Sequence, residues 1–272
     1  MRLVSQFASV GSMSRAMTRT SSLLDQTTFR LSSGKRLQRA ADDASGLVLS
    51  ELARSTANGS RVGLRNLQDA TSLAQVAEGA LGETNALLQH ARELSIASGN
   101  DALGQGARDA LASEMEQTFA EIDRISAATG FGGKSLINAD ETLTFQAGAG
   151  ENDQVQLEMR AADTASLGLN TSALATAVRN GDVGALDSMD SALFEVQGMR
   201  SDLGAFANGA AHSMQNLSVS LEATERSLSQ IEGADMAREA MRFSQHQIMT
   251  RGQAALAAQA NAAASHVLRL FG

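Results

Sequence analysis

The chain contains no proline, cysteine, tryptophan or tyrosine, and aromatic residues make up 3% of its 272 positions. Without proline, no ring forces a helix to kink or stop. Without cysteine there is no disulfide framework and no thiolate metal site, so thiol usage does not mark a redox compartment. The shortage of rings removes the side chains that commonly fill a globular core; Ala, Leu, Ser, Gln and Met take their place, a composition suited to helical rods. A net charge of -8 excludes general affinity for nucleic acid or an acidic membrane, both of which need a basic excess. No run of about 18 apolar residues occurs. The start, "MRLVSQFASVGSMSRAM", lacks the unbroken apolar core of a cleavable signal, so the chain is expected neither to span a membrane nor to be exported by the usual route.

What the sequence does have is helical periodicity. Leu3, Phe7, Val10, Ser14, Met17, Ser21, Leu24, Thr28 and Leu31 recur at alternating spacings of four and three, the seam of a coiled coil. Continued, that register meets Lys35, Gln38, Asp42 and Ser45, all polar, before Leu49 and Leu52 restore it. The seam lapses across "LSSGKRLQRAADDASG", residues 31–46. The next segment carries two neighbouring stripes, Leu67, Ala70, Ala74, Ala77, Leu81, Leu88 and Ala91 beside Leu73, Val76, Ala80, Leu87 and Leu94, and so must pack against more than one partner. "SGNDALGQG" ends it, and Leu111, Met115, Phe119, Ile122 and Ile125 mark a shorter helix.

The period then changes. "TGFGGKSLINAD" reads as loop, and Leu143, Phe145 and Ala147, then Val155, Leu157 and Met159, alternate with polar residues around "GAGEND", which predicts a hairpin near 142–159. Residues 160–182 are weakly patterned, with no second core. From Leu186 a heptad runs through Met189, Leu193, Val196, Leu203, Ala210, Met214, Leu217, Leu221 and Leu228 to Ile231, broken at Arg200 and Thr224. "EGAD" punctuates it, and Leu256, Ala260, Ala263, Val267 and Leu270 line a last helix. The fold class that follows is mainly α: a long antiparallel helical coiled-coil bundle with one small β-hairpin and paired terminal helices. Burying a Leu contributes about 1.5–3 kcal/mol, and ordering each backbone residue costs about 1–2 kcal/mol. Two lone terminal helices are therefore expected to need neighbours from other copies.

Chemistry is sparse. "GFGGKS" matches the end of a phosphate-binding loop, but the earlier glycine of that motif falls at Ala128 and a helix, not a strand, precedes it. His90, His212, His246 and His266 are far apart, with no repeated ligand spacing, so no metal or cofactor is expected. Glu114, Glu116, Glu121 and Asp123 form the polar side of an amphipathic helix. Asn58, Asn170 and Asn216 begin N-x-S/T triplets and read as surface residues. Arg200 either fixes register on its seam or lays its stem along it with the head in water. No enzyme is indicated.

The order of motifs resembles the bacterial flagellins. "LSSGKRLQRAADDASGL", "LQDATSLAQVAEGALGETNALLQHARELSIASGN", "EIDRISAATGFGGKSLI", "TFQAGAGENDQVQLEM", "MRSDLGAFANGAAHSMQNL" and "ALAAQANAAASHVLRLFG" are similar to successive stretches of that family, the last without the proline often seen after "AQAN". The resemblance implies a short form without outer domains, whose place is taken by residues 166–187. It implies residues 1–35 as an inner-tube helix, 36–46 as a spoke, 47–234 as an outer helical bundle and 235–272 as the returning inner-tube helix. It implies a polymerisation seam at Leu3, Phe7, Val10, Met17, Leu24, Leu31, Leu256, Val267 and Leu270, with spoke contacts to neighbouring subunits from Lys35, Arg36, Arg39, Asp42 and Asp43. Implied partners are further copies in a filament, the flagellar export apparatus and its chaperone, and the filament cap and hook-junction proteins, with no nucleic acid and no membrane. The implied place is the extracellular filament, reached as an unfolded chain. A patch recognised by an animal Toll-like receptor is matched at Gln89, Arg92, Glu93, Leu94 and Glu114, with a departure at His90, where the family pattern has Arg. Two rivals fit less well. A hook-filament junction protein commonly has a proline after the paired acids, and a coiled-coil adaptor leaves the hairpin unexplained.

Overall fold

A computed structural model describes the backbone over residues 2–271 and the side chains over residues 11–262. The elements are α1 (Arg2–Ser33), α2 (Ala44–Ser98), α3 (Gln105–Ala128), β1 (Gly130–Phe131), β2 (Lys134–Ser135), β3 (Glu141–Gln146), β4 (Gln154–Met159), α4 (Thr171–Asn180), α5 (Ala185–Glu232) and α6 (Met236–Phe271). They form two compact units, one of Met1–Arg54 with Thr224–Gly272, the other of Ser55–Ala223.

In the middle unit the two stripes of α2 face different neighbours. Leu67, Ala70, Ala74, Ala77, Leu81, Leu88 and Ala91 are all buried, and of the second stripe Leu73 and Leu94 are buried while Val76 is exposed. The alanines bring backbones close, and the larger side chains, Phe119, Met115 and Ile122 of α3 with Met189 and Val196 of α5, fill the space this leaves. Arg200 is half-buried, its guanidinium 3.6 Å from the Glu78 carboxylate of α2, so its charge is answered across the helix pair.

Two stretches read as irregular are ordered. "GFGGKS" forms the β1–β2 pair, with Gly132 and Gly133 both at positive φ (60° and 86°), the requirement of a tight two-residue hairpin turn. The turn leads into Leu136 and Ile137, both buried, and the Ser126 hydroxyl donates to the Ile137 carbonyl at 2.6 Å. Within residues 160–182 lies α4, ten residues long, capped by the Asn170 side chain accepting from the Ala173 N–H and closed by Gly181 in the left-handed conformation. Leu174, Ala175 and Val178 of α4 are buried in the core shared with α3. They join that one core and make no second one; the helix itself escaped the sequence pattern, because three turns offer too few apolar repeats for periodicity to register.

The β3–β4 hairpin pairs Leu143 with Leu157 and Phe145 with Val155, so one face carries every apolar residue. Phe145 meets Phe206 of α5 at 6.2 Å between ring centroids. Its turn rests on α2 at Gly59 and Gly63, one helical turn apart. A Cβ on Gly63 would stand 2.6 Å from the carbonyl carbon of Ala147, and one on Gly59 would stand 2.6 Å from the Ala149 Cβ. The Asn66 amide completes the seat by donating to the Gln146 carbonyl at 2.9 Å.

In the terminal unit α1 and α6 pair antiparallel: Gln253 donates to the Thr20 hydroxyl at 3.0 Å, and Arg30 lies 3.7 Å from Glu239. Met17, Leu24 and Leu31 sit on this seam half-buried, as the heptad requires. The residues that alternate with them are Met13, Thr20 and Thr27, with Thr20 and Thr27 buried, whereas Ser14, Ser21 and Thr28 are exposed. The expected series is corrected by one residue at alternate positions. Spacings of three and four can be taken in either order from the same three residues, and the partner helix selects the order. On α6 the inward face is Phe243, His246, Thr250, Gln253, Ala257 and Ala260. Leu256, placed on the seam by sequence, faces away from α1 and is 56% exposed. Leu3, Phe7, Val10, Ala263, Val267 and Leu270 lie outside the described side chains.

Candidate functional site

The interruption at residues 31–46 meets the break between α5 and α6. Helix α1 ends at Gly34, whose φ of 68° suits glycine alone at low cost, and the Gly34 N–H donates to Arg30 O at 2.9 Å. The chain then runs antiparallel to residues 232–234. Arg36 N–H donates to Glu232 O at 2.6 Å and Ala234 N–H to Gly34 O at 3.0 Å. The Arg36 guanidinium donates to Ile231 O at 2.9 Å. The last carbonyls of α5, which have no partner within their own helix, are thus satisfied by the outgoing strand. Leu37 is buried and is the apolar anchor of the segment.

Glu232 is the centre of this clasp. Its carboxylate is buried, lies 3.0 Å from the Lys35 ammonium and is bonded by the Arg54 guanidinium. Burial by itself pushes the carboxyl up, but Lys35, Ser50 and Arg54 together outweigh it and hold it below its ordinary value of 4.5. Asp42 accepts from the Gln26 amide at 3.2 Å and from the Gln38 and Arg39 N–H groups at 3.3 Å, with Arg30 at 3.7 Å. Asp43 opens α2, accepting from the Gly46 N–H and the Ser45 hydroxyl, both at 2.9 Å, and these bonds, the Gly46 one first, lower its carboxyl. A Cβ on Gly46 would collide with that carboxylate and with Leu37, which explains the glycine. Across the break, Glu239 is buried between Arg30 and Arg242, the latter at 2.8 Å.

The sequence singled out Lys35, Arg36, Arg39, Asp42 and Asp43 as contacts for neighbouring subunits. Within this chain Lys35 and Arg36 are already engaged by α5, and Asp42 and Asp43 by backbone amides; Arg39 is exposed. Sequence reading missed Glu232, Arg54, Arg30 and Glu239. The only signal was that "EGAD" and "SSGKR" each break a seam.

The second group of sequence-selected residues lies in the middle unit. His90 Nε2 is 3.0 Å from Glu114 Oε1 and His90 Nδ1 is 3.9 Å from Glu93 Oε2, so these three stand together on α2 and α3. Arg92 donates to Asp190 of α5 at 2.7 Å, Gln89 is exposed, and Leu94 is buried in the core and unavailable at the surface. Among the described residues no cluster of three His, Asp or Glu could hold a metal ion, and no helix is long and apolar enough to cross a membrane.

Both regions lie within stretches that match known proteins. Residues 4–142 match the bacterial flagellin N-terminal helical region and residues 186–271 the bacterial flagellin C-terminal helical region. A flagellin of Halalkalibacterium halodurans is 36% identical over 243 residues, 89% of each chain. A flagellin of Bacillus subtilis is 32% identical over 304 residues, covering 100% of both chains. A flagellar filament 30.7 kDa core protein of Treponema maltophilum is 32% identical over 256 residues, 89% of this chain and 90% of that one. Among solved structures, one assigned as a flagellar hook-associated protein of Vibrio parahaemolyticus superposes with a TM-score of 0.60 over 71% of this chain and 100% of its own, at 12% identity, a likeness of fold alone. With both terminal regions matched in order and flagellins aligned along nearly its whole length, the chain belongs to the bacterial flagellin family.

Proposed function

We propose that the chain, a structural subunit of the flagellar filament, polymerises through the face of α6 that its own α1 leaves uncovered. The observation that carries this is a second seam. Met241, Ile248 and Leu256 are 66%, 71% and 56% exposed, and with Gln245 and Gly252 between them they recur at spacings of four and three on the side away from α1. A helix with seams on two sides is built to be held between two helices, and one chain supplies only one. Burying three such side chains contributes about 5 kcal/mol per copy, and repetition along a polymer multiplies it.

In this reading the paired termini, residues 1–35 and 235–272, form an inner tube, 36–46 the spoke, and 47–234 the outer bundle. The chain is exported unfolded by the flagellar export apparatus with its chaperone and folds beneath a cap, beyond hook-junction proteins. Its work is mechanical and it catalyses no reaction. Arg39, whose exposed side chain has no partner among the described residues, is the spoke residue left to meet a neighbour.

The test is polymerisation of purified chain, followed by electron microscopy and sedimentation. The wild type should form filaments. Ile248→Asp with Leu256→Asp should keep its helical circular dichroism and fail to polymerise. Filaments from the double variant at the wild-type critical concentration would sink this reading.

A further inference from the structure

Oxidisable side chains are few and unevenly placed. The chain has no cysteine, tryptophan or tyrosine, so the methionine thioether is its most readily oxidised side chain, and there are 11. Met115, Met159, Met189 and Met199 of the middle unit are buried, and Met13, Met17 and Met214 are half-buried. Met236, Met241 and Met249, near the start of α6, are 48%, 66% and 41% exposed. Met1 lies outside the described side chains. An oxidant in solution therefore meets α6 first.

Two of those three share one groove. Met241 and Met249 lie on one side of the helix with Gln245 midway between them, each step being four residues. Together with Ala240, Ser244 and Ile248 they line a groove of about 550 Å³, on the face that also presents Ile248 and Leu256 away from α1. A thioether suits such a contact, because it is flexible and apolar and fills irregular space. A sulfoxide does not: it is a polar acceptor, and burying it without a donor is unfavourable. The Ser244 hydroxyl already donates to the Ala240 carbonyl at 3.1 Å, which leaves the Gln245 amide as the groove's side-chain donor for two sulfoxides.

We propose that Met241 and Met249 form a reversible oxidation site, and that a peroxide acting on the free subunit there closes its polymerisation face. The inference rests on the filament reading above, which makes this face the one a neighbouring copy covers. In the step itself one peroxide oxygen bonds to the methionine sulfur as the O–O bond breaks. The thioether gives up two electrons, the peroxide gains them, and the second oxygen leaves as water with both protons. Once a subunit is in place its neighbour shields the sulfurs, so the device discriminates between free and assembled chains. Enzymatic reduction of the two sulfoxide epimers restores the thioethers and the face.

The test treats the full chain, as monomer and as filaments, with hydrogen peroxide and follows each methionine by peptide mass spectrometry. In the monomer Met241 and Met249 should gain one oxygen at least about tenfold faster than the buried Met115 and Met189; in filaments that advantage should be lost. Oxidised monomer should keep its helical circular dichroism, polymerise only at a critical concentration raised about tenfold, and recover after treatment with both methionine sulfoxide reductases. Met241→Leu with Met249→Leu conserves volume and leaves Met236 oxidisable, and this variant should assemble equally well before and after peroxide. Equal inhibition of the leucine variant overturns the proposal, as does an unchanged critical concentration in oxidised wild type. If Ile248→Asp with Leu256→Asp abolishes filaments while oxidised wild type assembles normally, the filament reading stands and the proposal falls. Inhibition by peroxide that the leucine pair prevents, alongside normal assembly of the aspartate variant, would support the proposal and defeat that reading.

Discussion

The Lys35 ammonium lies 3.0 Å from the Glu232 carboxylate, joining the start of the outgoing connection to the end of the returning helix. Glu232 is 6% exposed and also holds Arg54, which Glu51 meets from its other side at 2.6 Å, so one buried acid joins two cations. Pairs at an exposed surface contribute little, but this acid is itself buried, so losing its charge removes two charge-assisted bonds that offset its burial. Glu232→Gln should destabilise the terminal unit by about 1–3 kcal/mol at pH 7. Thermal unfolding with hydrogen exchange at residues 34–36 measures it, and unchanged protection there would show that the clasp is decorative.

The same group sets an acid response. Glu232 and Asp43 both have carboxyls lowered from their ordinary values, 4.5 and 3.8, so near those pH values the folded chain binds fewer protons than the unfolded one. Their contributions are complete above the ordinary values and are lost as pH falls through the lower, folded ones. The terminal unit should therefore lose stability as pH falls below the ordinary values of these two carboxyls. In Glu232→Gln the acid limb should be shallower. An identical limb in both proteins would assign acid sensitivity to other groups.

Gly63 sits in the interior of α2, where glycine is about 1 kcal/mol worse than alanine. Gly63→Ala ought to stabilise the helix on propensity alone, yet its new Cβ would lie 2.6 Å from Ala147 backbone atoms that have no flexible end to swing away. Overpacking against backbone costs about 1–3 kcal/mol, more than the propensity gain. A lower melting temperature is expected, together with loss of protection in β3. A higher one would mean that the hairpin seat is soft.

At residue 90 the imidazole engages Glu114, one of the residues matched to the receptor patch, at 3.0 Å. An arginine there offers a longer, forked and permanently charged donor set. Monomer is expected to activate a Toll-like receptor reporter weakly, and His90→Arg to raise its potency. Equal potency would show that this position does not limit recognition.

What the sequence made legible follows from how far apart the interacting residues are. Met17, Leu24 and Leu31 were readable as a seam because a helix repeats locally, but whether Thr20 or Ser21 fills the gap between them depends on α6, more than 200 residues away. The hairpin at Leu143 and Leu157 announced itself by alternation. Helix α4 did not, since its burial rests on three side chains and a cap. Glu232 could not be found from spacing at all: its partners Lys35 and Arg54 are brought to it only when the chain turns back. The receptor-patch match included Leu94, which a surface motif suggests is available and which the second stripe of α2 buries.

In the proposed assembly the outward face of α6, exposed at Met241, Ile248 and Leu256 in the single chain, is covered in the filament. Because the chain has no cysteine, Leu256→Cys introduces its only thiol. Maleimide should label that thiol rapidly in the monomer and at least about tenfold more slowly in filaments, while Ser166→Cys, at an exposed position of the middle unit, should label equally in both. Equal labelling of position 256 in monomer and filament would contradict the account.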